Sequence, residues 1–226
     1  MFQDEQTPTL NLNGRQPPAY IAVEGPIGIG KTTLTRRLAE TFNYEMLLEK
    51  PEDNPFLERF YQNQRNAALA TQLFFLLQRG QQIQDLRQND LFEPVRIADF
   101  LMQKDRLFAR LNLDDDEYHL YEQVYNQLTL DIPKPDLVIY LQAPADVLLS
   151  RIQNRGVRFE QQIARDYLAS INEAYSEFFL YYDESPLLIV NAENIDFANR
   201  DSDYYQLVDY LLNIRSGRHY FNPTSI

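Results

Sequence analysis

The sequence contains no cysteine and no tryptophan, and it has no long apolar run. The lack of cysteine excludes disulfide bonds and thiolate metal sites, and it permits a reducing compartment. No stretch approaches the length of a transmembrane helix. The N-terminal stretch from Met1 to Pro18 is polar and lacks a basic start, so we expect neither a signal peptide nor a transit peptide. These absences predict a cytoplasmic location.

Positive charge is also scarce. The formal net charge is −12, and no dense patch of lysine and arginine occurs along the chain. Nucleic acids and anionic membrane surfaces bind through such patches, so the composition argues against both as partners. An acidic chain can still bind a phosphorylated ligand if its cations are gathered at one site.

Apolar runs and helical periodicity alternate along the 226 residues. We expect a flexible tail at 1–18 and a single domain at 19–226, which is long enough for a sizeable core. The predicted strands are Tyr20–Glu24, Tyr44–Leu48, Val95–Asp99, Leu137–Leu141 and Leu187–Val190. The predicted helices are Thr32–Phe42, Phe56–Arg87, Glu117–Leu130, Ala145–Gln153, Gln161–Tyr181 and Tyr204–Ile214. This alternation predicts an α/β fold with a doubly wound, five-stranded parallel sheet flanked by helices.

Three of the seven glycines lie in one loop between the first predicted strand and the first predicted helix. The loop has the full Gly-x-x-x-x-Gly-Lys-Thr spacing of a P-loop, whose backbone N–H groups point at phosphate oxygens. The predicted phosphate-binding residues are Gly25, Pro26, Ile27, Gly28, Ile29, Gly30, Lys31, Thr32 and Thr33. Lys31 is expected to reach the β and γ phosphates, and the Thr32 hydroxyl to ligate Mg²⁺. The pattern predicts a phosphoryl-transfer enzyme of the P-loop kinase class.

A P-loop alone leaves GTPases, ATPases and small-molecule kinases open. The guanine-specificity signature Asn-Lys-x-Asp is absent from the chain. Glu49 follows the second predicted strand, and in a doubly wound sheet that strand end lies close to the P-loop. A carboxylate there can accept the proton of an attacking hydroxyl. Glu52 is close enough in the sequence to be the base instead.

At these residues the chain resembles the deoxynucleoside kinase family, particularly its bacterial deoxyadenosine and deoxyguanosine kinase branch. The resemblance extends from about Tyr20 to Leu212. The matching motifs are Gly-Pro-Ile-Gly-Ile-Gly-Lys-Thr-Thr from Gly25, Glu49-x-Pro51-x-x-Asn54-Pro55-Phe56-Leu57, Tyr61, Gln72 with Arg79, Asp99, Asp105-Arg106 and Arg151-x-x-x-Arg155-Gly156. The resemblance implies a homodimeric deoxynucleoside 5′-kinase that uses ATP and Mg²⁺, with Glu49 as the base.

The resemblance also implies a set of substrate-binding residues. Tyr61 and Glu160 would hold the 3′-hydroxyl of the deoxyribose. Gln72 would bind a nucleobase edge, because its amide offers a donor and an acceptor in one plane. Arg79 and Asp105 would form a charged pair near the base, which favours a purine deoxynucleoside or deoxycytidine.

On the nucleotide side, the segment from Ser150 to Glu160 resembles the arginine lid that closes over ATP. Arg151 and Arg155 would help Lys31 to neutralise the transferring phosphoryl group. Arg155 and Arg158 would bind ATP. The loop from Asn191 to Phe197 follows the last predicted strand, where relatives place their adenine-binding loop.

Asp99 matches the family acid that helps Thr32 to hold Mg²⁺, mostly through water. The chain departs from the family directly after it. Asp99-Phe100-Leu101 stands where the family often has an acid-Arg-Ser motif, so one phosphate-contacting arginine is missing. Arg106 and Arg158 are the candidates to replace it.

Two other interpretations stay open from the sequence alone. The first is a small-molecule or nucleoside monophosphate kinase on the same fold with a different acceptor. The second is a non-catalytic accessory subunit that keeps the fold. The intact Lys31 and Thr32 count against the second interpretation.

Overall fold

The computed structural model describes residues 14–88, 96–128, 132–197 and 200–222. The strands are β1 Tyr20–Glu24, β2 Glu45–Leu47, β3 Arg96–Ala98, β4 Leu137–Gln142, β5 Leu187–Asn191 and β6 Arg218–Phe221. The helices are α1 Lys31–Phe42, α2 Leu57–Gln62, α3 Gln64–Gln88, α4 Lys104–Asn112, α5 Asp115–Leu128, α6 Ala145–Arg155, α7 Arg165–Tyr181 and α8 Asp201–Leu211. Short 3₁₀ turns occur at Pro51–Asp53 and Arg158–Gln162. Within the described ranges, no helix is long and apolar enough to span a membrane.

The strands form one parallel sheet in the order β2-β3-β1-β4-β5-β6. The predicted α/β class and parallel sheet are confirmed, but the prediction of five strands is one too few. The additional strand, β6, pairs with β5 at the edge of the sheet. It escaped prediction because its sequence, Arg-His-Tyr-Phe, contains no aliphatic residue and so lacks the apolar run that marks the other strands.

The strand order places the site. β2 and β3 lie on one side of β1, and β4 to β6 lie on the other. In an open parallel sheet, ligands bind at the carboxyl ends of the strands where the order reverses. That point lies here at the ends of β1 and β3, so the glycine loop after β1 meets Asp99 after β3. Because β2 pairs with β3, Glu49 also lies beside them.

Both faces of the sheet are covered by helices. Ile21 and Val23 of β1 pack on one face, in a core shared with α1, α6 and α8. Tyr140 of β4 packs on the other face against Tyr175 and Phe179 of α7, and the rings of Tyr140 and Phe179 stack with centroids 4.2 Å apart. Burial on both faces explains why the central strands are apolar throughout rather than alternating.

The predicted long helical region over Phe56–Arg87 consists of two separate helices, α2 and α3. Asn63 between them has extended backbone, with φ of −150°. Residues 62–66 include no apolar side chain, so no buried face holds a straight helix there. The break lets the apolar side chains of α2 pack against Ala67 and Ala68 of α3.

The predicted tail lies partly outside the described residues, which begin at residue 14. The described part contacts the domain. Arg15 pairs with Asp209 of α8 at 2.8 Å, and the hydroxyl of Tyr44 donates to the carbonyl oxygen of Pro18 at 3.0 Å. Val95 and Leu130, at the ends of a predicted strand and a predicted helix, also lie outside the described residues.

Candidate active site

The loop between β1 and α1 has the backbone that a P-loop requires. Gly25 has φ of 150°, and a Cβ there would lie 2.5 Å from the carbonyl oxygen of Leu141. Gly28 has φ of 82°, and a Cβ there would lie 2.7 Å from Cγ1 of Ile152. Both positions therefore need glycine. Since α1 begins at the end of this loop, its free N–H groups face any anion bound there.

Lys31 folds back over the loop. Its Nζ donates to the carbonyl oxygens of Gly25 at 2.7 Å and Pro26 at 3.2 Å. Burial lowers the pKa of Lys31, and the nearby cation Lys104 lowers it further, although neighbouring carboxylates oppose both effects. A phosphate bound in the loop would relieve this cost, because it brings negative charge to the ammonium group.

Asp99 connects three elements at the carboxyl ends of the strands: it follows β3 and contacts α1 and the segment after β2. Its Oδ2 accepts a hydrogen bond from the Thr32 hydroxyl at 2.6 Å, and its Oδ1 accepts one from the backbone N–H of Glu49 at 2.7 Å. Burial and the neighbouring Glu49 carboxylate raise the pKa of Asp99. A cation bound beside Asp99 would offset the energetic cost of keeping this buried carboxylate ionised. The hydroxyl and carboxylate oxygens fit Mg²⁺, which takes few protein ligands and keeps water and phosphate oxygens as the others.

The carboxylate of Glu49 is held by two cations. Arg79 on α3 donates to Oε1 through Nε at 2.7 Å and through Nη2, and Nζ of Lys104 lies 2.8 Å from the same oxygen. Burial disfavours the ionised form, but Arg79, Lys104 and Lys31 outweigh it and hold the pKa of Glu49 well below its usual range. These contacts from α3 and α4 all converge on Oε1 of Glu49.

Sequence reasoning missed two members of this cluster, Glu24 and Lys104. Glu24 is fully buried and accepts hydrogen bonds from the backbone of Gly25 (2.9 Å), the backbone of Leu101 (2.7 Å) and the hydroxyl of Tyr175 (2.8 Å). Nζ of Lys104 lies 3.5 Å from its Oε1. The available signals were an acid ending an apolar strand and a lysine beside the matched Asp-Arg pair.

Asp105 lies on the other side of Arg79. Nη1 of Arg79 donates to Oδ1 of Asp105, and both side chains are almost fully buried. Burial raises the pKa of Asp105, although Arg79 acts in the opposite direction. Among the described residues, nothing hydrogen-bonds to the buried Oδ2. The predicted pair is therefore a buried one, and not a surface ion pair of little energetic consequence.

A cavity beside the P-loop is lined on one part of its wall by charged side chains and on another by aromatic ones. The charged residues next to the P-loop are Lys31, Glu49, Arg79, Asp99 and Lys104. Tyr61 lines the cavity and stacks on Phe159, with centroids 6.3 Å apart and planes at 6°. Gln72 also lines it and is 4% exposed. Glu160 lies at the same wall and is buried. The cavity thus joins a phosphate end to an amide and aromatic end.

The three arginines of the predicted lid occupy different positions. Arg155 lines the cavity, and its Nη2 donates to Oε2 of Glu160. Arg151 donates instead to backbone carbonyl oxygens, through Nη2 to Ala192 at 2.8 Å and through Nη1 to the P-loop residue Ile29 at 3.3 Å. The side chain of Arg158 is exposed.

A second cavity lies on the opposite side of the P-loop. It is lined by Gly30 and Thr33, by Arg151 and Arg155, and by the loop after β5 at residues 193–197. Because Arg151 holds this loop to the P-loop, it fixes the shape of the second cavity. Arg155 lines both cavities and lies where they meet.

Two of the alternatives that the sequence left open lie outside the site. Glu52 is exposed on its 3₁₀ turn and lines neither cavity. Arg106 was a candidate for the missing cation, but it pairs with Glu122 at 3.4 Å and donates to Asn126 at 2.8 Å, on an exposed face of α4. Phe100, which stands where the family often has an arginine, is fully buried in the core.

A P-loop after the central strand β1, with Asp99 after the adjacent strand β3 and Glu49 after β2 beyond it, defines a P-loop kinase. The chain belongs to the deoxynucleoside kinase family, whose sequence profile matches residues 21–214. It is therefore an ATP-dependent kinase that phosphorylates deoxynucleosides, as the resemblance implied. The comparisons give no support to a monophosphate kinase or to an accessory subunit.

Curated relatives agree with this assignment. The deoxyguanosine kinase of Bacillus subtilis is 35% identical over 198 residues, which cover 85% of this chain and 95% of the relative. The deoxyadenosine/deoxycytidine kinase of the same organism is 28% identical over 206 residues, which cover 87% and 93%. The similarity therefore extends over nearly the whole length of both proteins.

Solved structures show the same fold. A deoxyadenosine kinase from M. mycoides with dCMP and a flexible dCDP bound superposes with a TM-score of 0.75 and 27% identity, over 86% of this chain and 100% of that one. The same enzyme with dATP bound gives a TM-score of 0.72 and 26% identity, over 86% and 99%. These neighbours bind nucleotides.

Proposed function

We propose that the chain transfers the γ-phosphoryl group of ATP to the 5′-hydroxyl of a deoxynucleoside in nucleoside salvage, with a purine deoxynucleoside or deoxycytidine favoured. The observation that carries the proposal is the position of Glu49. Its carboxylate faces the same cavity as Lys31 and Thr32 of the P-loop. A hydroxyl activated there would lie beside the phosphate end of a bound nucleotide.

The transfer needs one proton acceptor. The 5′-oxygen forms a bond to the γ-phosphorus, the bond from that phosphorus to the β–γ bridging oxygen breaks, and ADP leaves. The hydroxyl proton passes to the Glu49 carboxylate, which Arg79 and Lys104 hold through Oε1. Lys31 and Arg155 stabilise the charge on the phosphoryl oxygens. Glu49 is favoured over Glu52 because only Glu49 lines the cavity.

Thr32 and Asp99 would hold Mg²⁺. Their oxygens lie 2.6 Å apart, and burial together with the Glu49 carboxylate raises the pKa of Asp99, which supports a cation at this position. The ion would neutralise charge on the phosphate oxygens of ATP.

The far end of the cavity would bind the nucleoside. Tyr61 and Glu160 would hold the 3′-hydroxyl and Gln72 would bind the edge of the base, since all three line this cavity. The position of Gln72 in the cavity wall supports this role, because its side-chain amide offers both a donor and an acceptor to a bound base. Arg79 and Asp105 lie behind the base. Relatives named deoxyguanosine kinase and deoxyadenosine/deoxycytidine kinase support a purine or cytosine base.

The second cavity would take the adenine end of ATP, in agreement with the predicted adenine loop at residues 191–197. Arg151 forms part of the wall of this cavity. Because Arg151 donates to the backbone carbonyl oxygens of Ile29 and Ala192, we favour this structural role over the predicted role at the phosphoryl group. Arg158 would reach ATP only after the lid closes. Gly156 ends α6 with φ of 71°, a conformation suited to a hinge.

The chain would act as a homodimer in the cytoplasm, without nucleic acid or membrane partners. Two apolar side chains on neighbouring long helices support self-association: Leu77 of α3 is 54% exposed, and Leu120 of α5 is 48% exposed. An exposed apolar surface shared by packed helices is typical of a protein interface.

A substrate panel tests the proposal. Purified protein is incubated with ATP and Mg²⁺ and with each deoxynucleoside, ribonucleoside or nucleoside monophosphate in turn. We expect 5′-monophosphates from deoxyguanosine, deoxyadenosine or deoxycytidine, and little turnover of thymidine. Turnover confined to the nucleoside monophosphates would contradict the proposal.

A further inference from the structure

We propose that Lys104 is a positioning residue for the phosphoryl transfer, which holds the Glu49 carboxylate through Oε1 in the orientation needed to accept the proton of the acceptor hydroxyl. The proposal rests on the proposed function, because it assigns Lys104 a task at that same site. Lys104 would also be the additional cation at the acceptor end, in place of the two arginines considered from the sequence.

The position of Lys104 is built into the fold. It is the first residue of α4, directly after the loop that follows β3, and its side chain lines the main cavity. Only 2% of the residue is exposed. A lysine is rarely buried so completely unless it is paired, so its location calls for a specific task.

Two carboxylates fix the ammonium group of Lys104. Its Nζ lies 2.8 Å from Oε1 of Glu49 on one side and 3.5 Å from Oε1 of Glu24 on the other. Burial disfavours the charge, but Glu24 and Glu49 outweigh it and raise the pKa of Lys104. The group therefore stays protonated. Glu24 is itself held by three hydrogen bonds, so it acts as a rigid support behind the lysine.

The lysine complements Arg79. Arg79 contacts Oε1 of Glu49 from α3, and Lys104 contacts the same oxygen from α4. Without Lys104, the Glu49 carboxylate would be held by Arg79 alone, and Arg79 also donates a hydrogen bond to Asp105. Geometry at a reacting centre must be held within a fraction of an ångström, and loss of one supporting contact lowers the rate even when the base remains.

No arginine on the same helix can take this task. Arg106 lies two residues further along α4 and pairs with Glu122 at the surface. Phe100, the residue after Asp99, is buried in an apolar cluster. Of the side chains on α4, Lys104 is the cation that reaches the cavity, since Arg110 lies over the ring of Tyr118 on the outside.

The test compares charge-removing and charge-keeping substitutions. Lys104→Met keeps the length of the side chain and removes its charge, and Lys104→Gln also removes the charge but can still donate to Glu24. We expect both to lower kcat by about 10²-fold, the typical effect of losing one preorganised charged contact. The KM values for ATP and for the nucleoside should change little, because Lys104 touches neither Gln72 nor the second cavity. Lys104→Arg should be more active than both neutral variants.

Two controls separate this role from a loss of folding. Arg110→Met removes an exposed cation from the same helix and should keep wild-type kinetics. Thermal unfolding and ATP binding identify any variant that fails to fold, and Lys104→Gln then takes the place of Lys104→Met. Neutral variants with kcat close to wild type, or no more impaired than Lys104→Arg, would overturn the proposal. A wild-type protein without deoxynucleoside kinase activity would instead refute the proposed function.

Discussion

The nucleotide end and the acceptor end of the site are constructed in different ways. The nucleotide end is one continuous stretch, Gly25–Thr33, that offers backbone N–H groups and the first turn of α1. The acceptor end is assembled from side chains on separate elements: Glu24, Glu49, Arg79, Lys104 and Asp105. One end depends on the path of the backbone, and the other depends on a balance of buried charges.

This difference predicts two kinds of sensitivity. A phosphate loop fails when a side chain changes its path, because the N–H groups no longer converge. A buried cluster of three carboxylates and two cations fails when one charge is removed, because its partner is left buried without compensation. Substitutions at the two ends should therefore be distinguishable in the kinetics.

The largest effect is expected at Glu49. Glu49→Gln keeps the shape of the side chain but removes the proton acceptor, so kcat should fall by about 10³-fold. Glu52→Gln is the matched control, since Glu52 is exposed and lies outside the cavity. Steady-state kinetics with the best deoxynucleoside of the panel provide the measurement. If Glu52→Gln were the inactive variant, the assignment of the base would be wrong.

A smaller effect is expected from a change of shape at the nucleotide end. Gly28→Ala places a Cβ 2.7 Å from Ile152 at φ of 82°, and strain of about 1–3 kcal/mol should lower kcat/KM for ATP by up to about 10²-fold. Gly217→Ala is the control, because its φ is similarly positive at 79° but its Cβ would meet no atom within 4 Å. ATP binding measured by calorimetry separates them. Equal losses of ATP affinity in both variants would contradict the comparison.

The same contrast explains what the sequence could predict. The P-loop is contiguous, so its spacing alone indicates the phosphate site and the class of enzyme. Glu49, Gln72 and Asp105 were found only through their match to a known family. Glu24 and Lys104 were missed because their partners lie far away in the sequence, and only the packing of α4 against the end of β1 brings them together.

Local structure explains the other features that the sequence did not predict. The strand β6 contains no aliphatic residue, so it lacks the apolar run by which the other strands were recognised. The break at Asn63 was missed because a Gln- and Asn-rich stretch is compatible with an exposed helix, and only the packing of α2 against α3 shows the turn. Strands buried on both faces gave the clearest signals, and they placed the loops that carry the site.

The smallest of these effects is expected at Gln72, in the proposed base-binding part of the acceptor end. Gln72→Ala removes the amide that lines the cavity, so KM for the nucleoside should rise by about fivefold while KM for ATP stays unchanged, since one hydrogen-bonding group contributes about 1 kcal/mol. Gln84→Ala on the exposed face of α3 is the control. A parallel rise in both KM values would mean that the two ends are coupled, and an unchanged nucleoside KM would remove Gln72 from base recognition.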